Sequence, residues 1–380
     1  MAISGATQYA LQAALSAYSD EAYTNAKKLS GTALVGSDAR IDPSTETFIG
    51  QMRWMKPLNP VINVASLTDS TAGTTTDFTS DYSTYIKSVR THGARKVNMQ
   101  EVVSQQDGLA KVGRDFGETK AQDEHNAILS VLRGVMVQEA LNGAATGSGA
   151  TGLGGQTFAN DPTDQKYGFY VDLGTSAPVI AATTAVQGAA RAESFLQAVG
   201  KGFKDYEPDY MYLVTSPEVF ASLRSANLVD EDRIVDGSIE FATLFGGKFR
   251  LIQTRATQGI TSGQLAFLNA GAGVDIVGTK TSFLVAPGSI AMANLSVPSP
   301  VEMFRNPSAY QGGGTTDIWY RWGYVLHPSG YDWVGSQTAF AANTDYEAMP
   351  VANVGAGTRG AWARKANSAL QLGILPVFHS

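Results

Sequence analysis

Residues 118–142 read ETKAQDEHNAILSVLRGVMVQEALN. Ala121, His125, Ile128, Leu132 and Val135 recur at steps of four and three, which places them on one face of an α-helix. Asn142-Gly143 supplies a stop signal. A helix of that length, at about 1.5 Å per residue, is a rod of roughly 37 Å. Ser104-Gln105-Gln106-Asp107 resembles a capping box and would allow an earlier start. Gly108, Gly113 and Gly117 oppose it, each costing about 1 kcal/mol against Ala inside a helix. The helix is therefore expected over 118–142, and 104–117 stays open.

Upstream of this rod the pattern is extended. Gln51 to Lys56 is short and amphipathic, and Pro57 and Pro60 end it. Residues 66–81 are dominated by Ser, Thr, Gly, Asp and Ala. From Tyr82 to Val103 the chain is again strand-like, with Tyr82, Tyr85, Ile86, Val89, Val97, Met99 and Val103 as apolar points. Two strand-like arms around a polar tip describe a long β-hairpin. No neighbouring stretch supplies hydrophobic mass to cover it.

Further out, residues 8–29 read as an amphipathic helix through Leu11, Leu15, Tyr18, Ala22, Ala26 and Leu29. It could pack on its own domain or on a neighbour, and the residues leave both open. Residues 30–50 lack a period and read as a linker. Downstream, 143–190 is loop-rich, and a second helix is expected over about 187–203 with Phe195, Leu196, Val199 and Phe203. Tyr210 to Val214 reads as a buried strand, and Ser216-Pro217-Glu218 opens a short helix. Lys248 to Thr254, Val274 to Val277 and Phe283 to Leu295 read as strands. Ile318, Tyr320, Trp322, Tyr324 and Leu326 alternate along a long strand that Pro328-Ser329-Gly330 ends, and Leu370 to Phe378 is a last short one. The fold class is α+β.

Charged residues make up only 16% of the 380, against about 25% in ordinary domains, while hydrophobic residues make up 43%. That excludes disorder as the overall state. It suggests a surface partly covered by other protein. The net charge of −6 argues against a generic nucleic-acid binder. With no cysteine, disulfides, thiolate zinc sites and cysteine nucleophiles are excluded. No Lys or Arg precedes Lys27, so the basic start of a secretory signal is not seen, and no apolar run reaches the roughly 18 residues of a membrane span.

Catalytic signals are weak. Gly147 to Gly152 matches a dinucleotide-binding fingerprint by letter, but a helix precedes it and loop follows, the reverse of what pyrophosphate binding needs. Asp123-Glu124-His125 cannot jointly grip an ion, because adjacent helical residues point apart. Asp230, Glu231, Asp232 and Asp236 lack the spacing of a calcium loop. No catalytic, cofactor or metal residue is assigned. Charge is more informative. Lys87, Arg90, Arg95, Lys96, Lys111 and Arg114 face only Glu101 and Asp107 across residues 87–114. A basic stretch on an acidic chain suits contact between copies. With Arg53 and Lys56 on the first arm, the candidate contact residues are Arg53, Lys56, Lys87, Arg90, Arg95 and Lys96. Reversing Arg90 and Arg95 to Glu is expected to weaken assembly without unfolding the subunit.

The order of elements resembles the major capsid proteins of tailed double-stranded DNA bacteriophages with the Hong Kong 97-like fold. Tyr212-Leu-Val-Thr-Ser-Pro-Glu-Val-Phe-Ala-Ser-Leu223 followed by Phe245-Gly-Gly-Lys-Phe-Arg-Leu-Ile252 looks like that family's strand, helix and next strand. Tyr324-Val-Leu-His-Pro-Ser-Gly-Tyr-Asp-Trp333 looks like the tail of its axial domain. The resemblance implies an N-terminal arm over 1–50 and an extended loop over 51–98. A peripheral domain with the spine helix would cover 99–186 and 346–380, and an axial domain with a mixed sheet 187–345. It implies a non-enzymatic shell protein of the virion, assembled in the bacterial host cytoplasm from hexamers and pentamers of itself. Partners implied are a separate scaffolding protein, a portal, a decoration or cement protein, and double-stranded DNA held by enclosure, with no membrane and no cofactor. Two alternatives remain at this level. One is an encapsulin-like nanocompartment of the same fold; the other is a nucleotide-binding enzyme using Gly147–Gly152.

Overall fold

The computed structural model describes residues 5–27, 29–44, 47–55, 80–98, 107–145, 171–172, 208–225, 227–236, 239–254, 280–333, 362–365 and 372–379. Among them the fold is α+β: three α-helices and two main sheets. Helix α1 spans Gly5–Ala26, followed by a 3-10 turn at Leu29–Gly31. Helix α2 spans Gly108–Ala145 and α3 Pro217–Ser225. The strands in chain order are β1 (Val35–Gly36), β2 (Ile49–Met55), β3 (Ser80–Val97), β4 (Val171–Asp172), β5 (Met211–Thr215), β6 (Val229–Asp236), β7 (Ile239–Leu244) and β8 (Phe249–Gln253). They continue with β9 (Lys280–Val285), β10 (Ile290–Asn294), β11 (Val301–Asn306), β12 (Thr315–Pro328), β13 (Tyr331–Trp333), β14 (Trp362–Arg364) and β15 (Ile374–His379).

Helix α2 runs 38 residues, about 57 Å at 1.5 Å each, and takes in the glycines that argued for a later start. Its N-cap is Asp107, whose Oδ1 accepts from the amides of Leu109 at 3.0 Å and Ala110 at 3.1 Å. The glycines stay because α1 crosses there. A Cβ on Gly117 would meet the Ser19 carbonyl oxygen, the Tyr23 nitrogen at 2.7 Å and the Ala22 Cβ at 2.9 Å. One on Gly113 would meet the Tyr18 Cβ at 2.8 Å and the Leu15 carbonyl at 3.1 Å. Close helix approach outweighs helix propensity, as sequence periodicity could not show. Leu15 and Ala22 of α1 are buried, so this helix packs on its own chain. Ile128, Leu132 and Val135 of α2 are buried, and so are Ala127, Leu129, Val131 and Met136. Over 127–136 the helix is buried on nearly every side, while Lys111, Arg114, Asp115, Glu118, Gln122 and Asn126 stay exposed; β3, β12, β14 and β15 all touch the helix.

The first sheet has the order β1-β10-β12-β3-β2, with β11 also on β12. Strand β12 is its centre. It pairs antiparallel with β3 from Thr315↔Val97 to Val325↔Lys87, and on its other edge with β11 and then β10. Ile318, Tyr320, Trp322, Tyr324 and Leu326 are all buried, facing the main core. From Trp322 onward the opposite face is covered too, because Val325 joins Ile41, Met52, Tyr85 and Ala291 in a second small core. The linker expected over 30–50 thus has a role: it supplies Ile41 to that core and β1 to the sheet edge.

The second sheet has the order β4-β15-β9-β5-β8-β7-β6. Strand β5 is buried at all five positions, since β8 flanks it in parallel and β9 antiparallel. Ser216 Oγ accepts from the Val219 amide at 3.4 Å at the start of α3. The β7–β8 hairpin turns through Phe245, Gly246 and Gly247, all with positive φ. The pairing joins segments that the sequence placed in different domains. Strands β10, β11 and β12 share a sheet with the hairpin arm β3, while β15 pairs with β9 and β4. The helix expected over 187–203, the strand over 274–277 and the Gly147–Gly152 loop lie outside the described residues.

Candidate subunit-contact surface

Strands β2 and β3 form the expected hairpin, in register from Ile49↔Ile86 to Met55↔Ser80. The tip, 56–79, lies outside the described residues. The two arms differ. Residues 87–97 of β3 are a full member of the first sheet through β12, whereas 80–84 pair only with β2. Where the arm meets the body, Tyr85 lies buried across Gly50, with its ring occupying the space a Cβ there would need. Its hydroxyl donates to the Asp42 carbonyl at 3.1 Å and accepts from the Asp42 amide at 3.2 Å. The Lys87 amide donates to the Phe48 carbonyl at 2.8 Å.

The five described basic candidates do not form one patch. Arg53 is exposed on the projecting arm, and Lys56 lies outside the described residues. Lys87 is buried, with Nζ donating to the Pro43 carbonyl at 3.3 Å. Arg90 faces inward and stands 3.7 Å from Asp123, a carboxylate that also accepts from Trp322 Nε1 at 3.0 Å and the Tyr324 hydroxyl at 2.8 Å. Arg95 pairs across the strands with Asp317 at 2.6 Å, and this pair raises the Arg95 pKa and lowers that of Asp317. Lys96 is half-buried. Reversing Arg90 and Arg95 together would therefore set a carboxylate against Asp123 inside the subunit, so that double variant does not separate assembly from folding.

Exposed apolar side chains mark the surface instead. Phe48, Ile49, Tyr82 and Val89 are exposed at the hairpin base, and Phe48 and Val89 line a shallow groove with Pro43, Leu295, Val297 and Pro298. Phe304 and Trp319 are exposed on one face of β11 and β12, with Tyr310 on the turn between them. These residues carry no periodic signal apart from strand alternation, and that alternation does not say which face lacks a cover.

Buried polar ties hold the surface in place. Arg364 of β14 pairs with Glu139 of α2 at 3.1 Å, both almost fully buried, and Tyr331 donates its hydroxyl to the same carboxylate at 3.0 Å. Burial and the neighbouring Glu139 charge push the Tyr331 pKa well up. Tyr23 of α1 donates to Glu124 at 2.6 Å. Burial raises the pKa of both. Asp123, Glu124 and the half-buried His125 therefore turn to separate surroundings. His327 is fully buried, which holds its pKa down at about 3. Asp230 accepts from Thr243 Oγ1 and the Gly246 amide, supporting the β7–β8 turn. Among the described residues no group of acidic and histidine side chains could hold a metal ion.

No protein-family model matches the sequence, and no curated protein does. Solved structures that match include several of bacteriophages. The capsid asymmetric unit of cyanophage Pam1 superposes at a TM-score of 0.40 and 11% identity, over 89% of this chain and 86% of that one. The capsid of Ralstonia phage GP4 gives 0.44 and 10%, over 91% and 87%. The head structure of Helicobacter pylori bacteriophage KHP40 gives 0.45 and 9%, over 91% and 86%. At such identities and scores the role of this chain has to be argued from its own geometry.

Proposed function

We propose that the chain is a structural shell subunit, the major capsid protein of a tailed double-stranded DNA bacteriophage, and not an enzyme. One observation carries this reading. Apolar side chains of the two-stranded hairpin and its root, Phe48, Ile49, Tyr82 and Val89, stand exposed among the described residues. An isolated two-stranded hairpin is marginal in water. An arm of this kind gains its stability when laid on another surface, and a second copy of the chain offers one in every subunit of a closed shell. The low charge content and the exposed Phe304, Trp319 and Tyr310 fit a surface meant to be covered.

On this reading the subunits form hexamers and pentamers that enclose DNA in the virion, with residues 1–50 as the arm, 51–98 as the extended loop and α2 as the spine. A scaffolding protein, a portal and a cement protein would be the further partners. The net-negative chain holds DNA by enclosure.

Negative-stain electron microscopy with light scattering tests it. Rings or closed shells of megadalton mass are expected from the purified protein, alone or with scaffold or crowding agent. A species that stays near 40 kDa under all three conditions overturns the reading. Nuclease-protected DNA inside native particles separates a phage head from a cargo compartment.

A further inference from the structure

We propose that Lys365 is a clamp that fixes where, and in which direction, the hairpin leaves the body. Three successive residues of β3 are held at the point of departure. The Tyr82 carbonyl accepts from Lys365 Nζ at 2.5 Å. Ser83 Oγ donates to the Tyr331 carbonyl at 2.8 Å, and the Thr84 amide donates to Asp332 Oδ1. The Lys365 ammonium also lies 3.5 Å from Asp81 and 3.5 Å from Asp332. An ammonium has three donors, and here it faces two carboxylates and one carbonyl.

The clamp comes from a distant part of the chain and has a rigid root. Strand β14 pairs with β13 from Tyr331↔Arg364 to Trp333↔Trp362, and the Lys365 amide donates to the Gly330 carbonyl at 2.9 Å. The rings of Trp333 and Trp362 meet edge to face at 5.2 Å. One residue before the clamp, Arg364 enters the buried pair with Glu139 on the spine helix. Lys365 therefore transmits the position of the spine to the arm. The described part of the arm ends one residue beyond Asp81, at the pair Met55↔Ser80. Residues 81–84 are thus fixed against the body, and Lys365 and Asp332 are the charged groups on the body side that hold them. The clamp stands on the subunit geometry alone; its effect on assembly rests on the shell reading above.

The test is hydrogen exchange on the full chain with K365M and D332N. Methionine keeps the apolar stem and removes the charge. Asparagine keeps an acceptor for the Thr84 amide and removes the charge facing Lys365. In K365M, amides in 80–86 are expected to exchange about tenfold faster, as local opening of a charge-assisted contact allows, while 290–294 and 318–326 keep their protection. D332N is expected to show a smaller rise in the same segment. Unchanged exchange at 80–86, or an equal rise throughout the sheet, overturns the clamp. If K365M does not fold, D81N on the half-exposed arm side gives the same readout. Microscopy of wild-type particles tests the shell reading separately, so the failure of one is not the failure of the other.

Discussion

Replacing Gly117 by Ala gives opposite signs for the two forces at the crossing of α1 and α2. Considered as a helix alone, α2 gains about 1 kcal/mol from the change. At the crossing the new methyl has no room. It would fall on the Ser19 carbonyl oxygen, 2.7 Å from the Tyr23 nitrogen and 2.9 Å from the Ala22 Cβ. Two of these are backbone atoms and cannot rotate away, so α1 must move as a body. Overpacking of this kind costs about 1–3 kcal/mol. The shift also pulls Tyr23 from Glu124, a 2.6 Å hydrogen bond worth about 1 kcal/mol or more with a charged acceptor. The net expectation is a loss of about 1–3 kcal/mol. G113A, which meets the Tyr18 Cβ at 2.8 Å and the Leu15 carbonyl only at 3.1 Å, should lose less. Urea unfolding of the full chain measures the change as a lower midpoint at constant slope. Hydrogen exchange over residues 15–23 detects α1 lifting off locally. A midpoint that rises by the helix-propensity gain, with protection of 15–23 unchanged, would refute the close crossing as the reason for the glycine.

Removing the Glu139 charge as E139A takes away the carboxylate that the buried Arg364 pairs with, and breaking such a pair costs about 3–5 kcal/mol. Adding R364M should recover part of that, and a double-mutant cycle on urea midpoints reads the coupling. His327 is neutral in the fold with a pKa of about 3, against an ordinary 6.5. The unfolded chain takes up its proton first, so this stabilising contribution is complete above pH 6.5 and is lost as pH falls toward 3, at about 1.4 kcal/mol per unit. H327Q should flatten that acid limb in stability measured against pH. Glu124 runs the other way. Its folded pKa lies above 4.5, so stability falls as pH rises from 4.5 through the folded value, and E124Q should remove that fall. R95E should cost little, because its pair with Asp317 is largely exposed and screened by solvent, whereas R90E, aimed at Asp123, should cost more; thermal unfolding of the two single variants ranks them.

Period and turn chemistry made much of the fold legible. The residues at steps of four and three on α2, the alternation along β12, the Ser216-Pro217 start of α3 and the two arms of the hairpin all follow from local pattern. What stayed hidden depended on partners remote in sequence. Gly113 and Gly117 looked like helix breakers because α1, their neighbour in space, lies about a hundred residues upstream. Strand β12 looked like part of a domain following the second helix, but it pairs with β3, more than two hundred residues earlier. The basic residues at 87–96 looked unopposed because their acidic partners, Asp123 and Asp317, come from α2 and β12. Arg364 and Lys365 had no acid nearby in the sequence, and the structure supplies Glu139, Asp81 and Asp332.

The same pairings bear on how the surface works. A charge that has an internal partner is already satisfied, and bringing a second copy against it gains little. That applies to Lys87, Arg90 and Arg95, the residues that first pointed to an electrostatic contact. Phe48, Ile49, Tyr82 and Val89, by contrast, gain by losing water, at about 25 cal/mol per Å² of apolar area covered. An apolar contact of this kind is not directional, so something must aim it. The hairpin supplies the reach, and the ties to Asp42, Tyr331, Asp332 and Lys365 hold its root. On the proposed shell reading, charge would act within the subunit, as position, and hydrophobic area between subunits, as adhesion. A shell built from many weak copies of one contact needs that division, since the aim must be right before any single contact is strong enough to correct it.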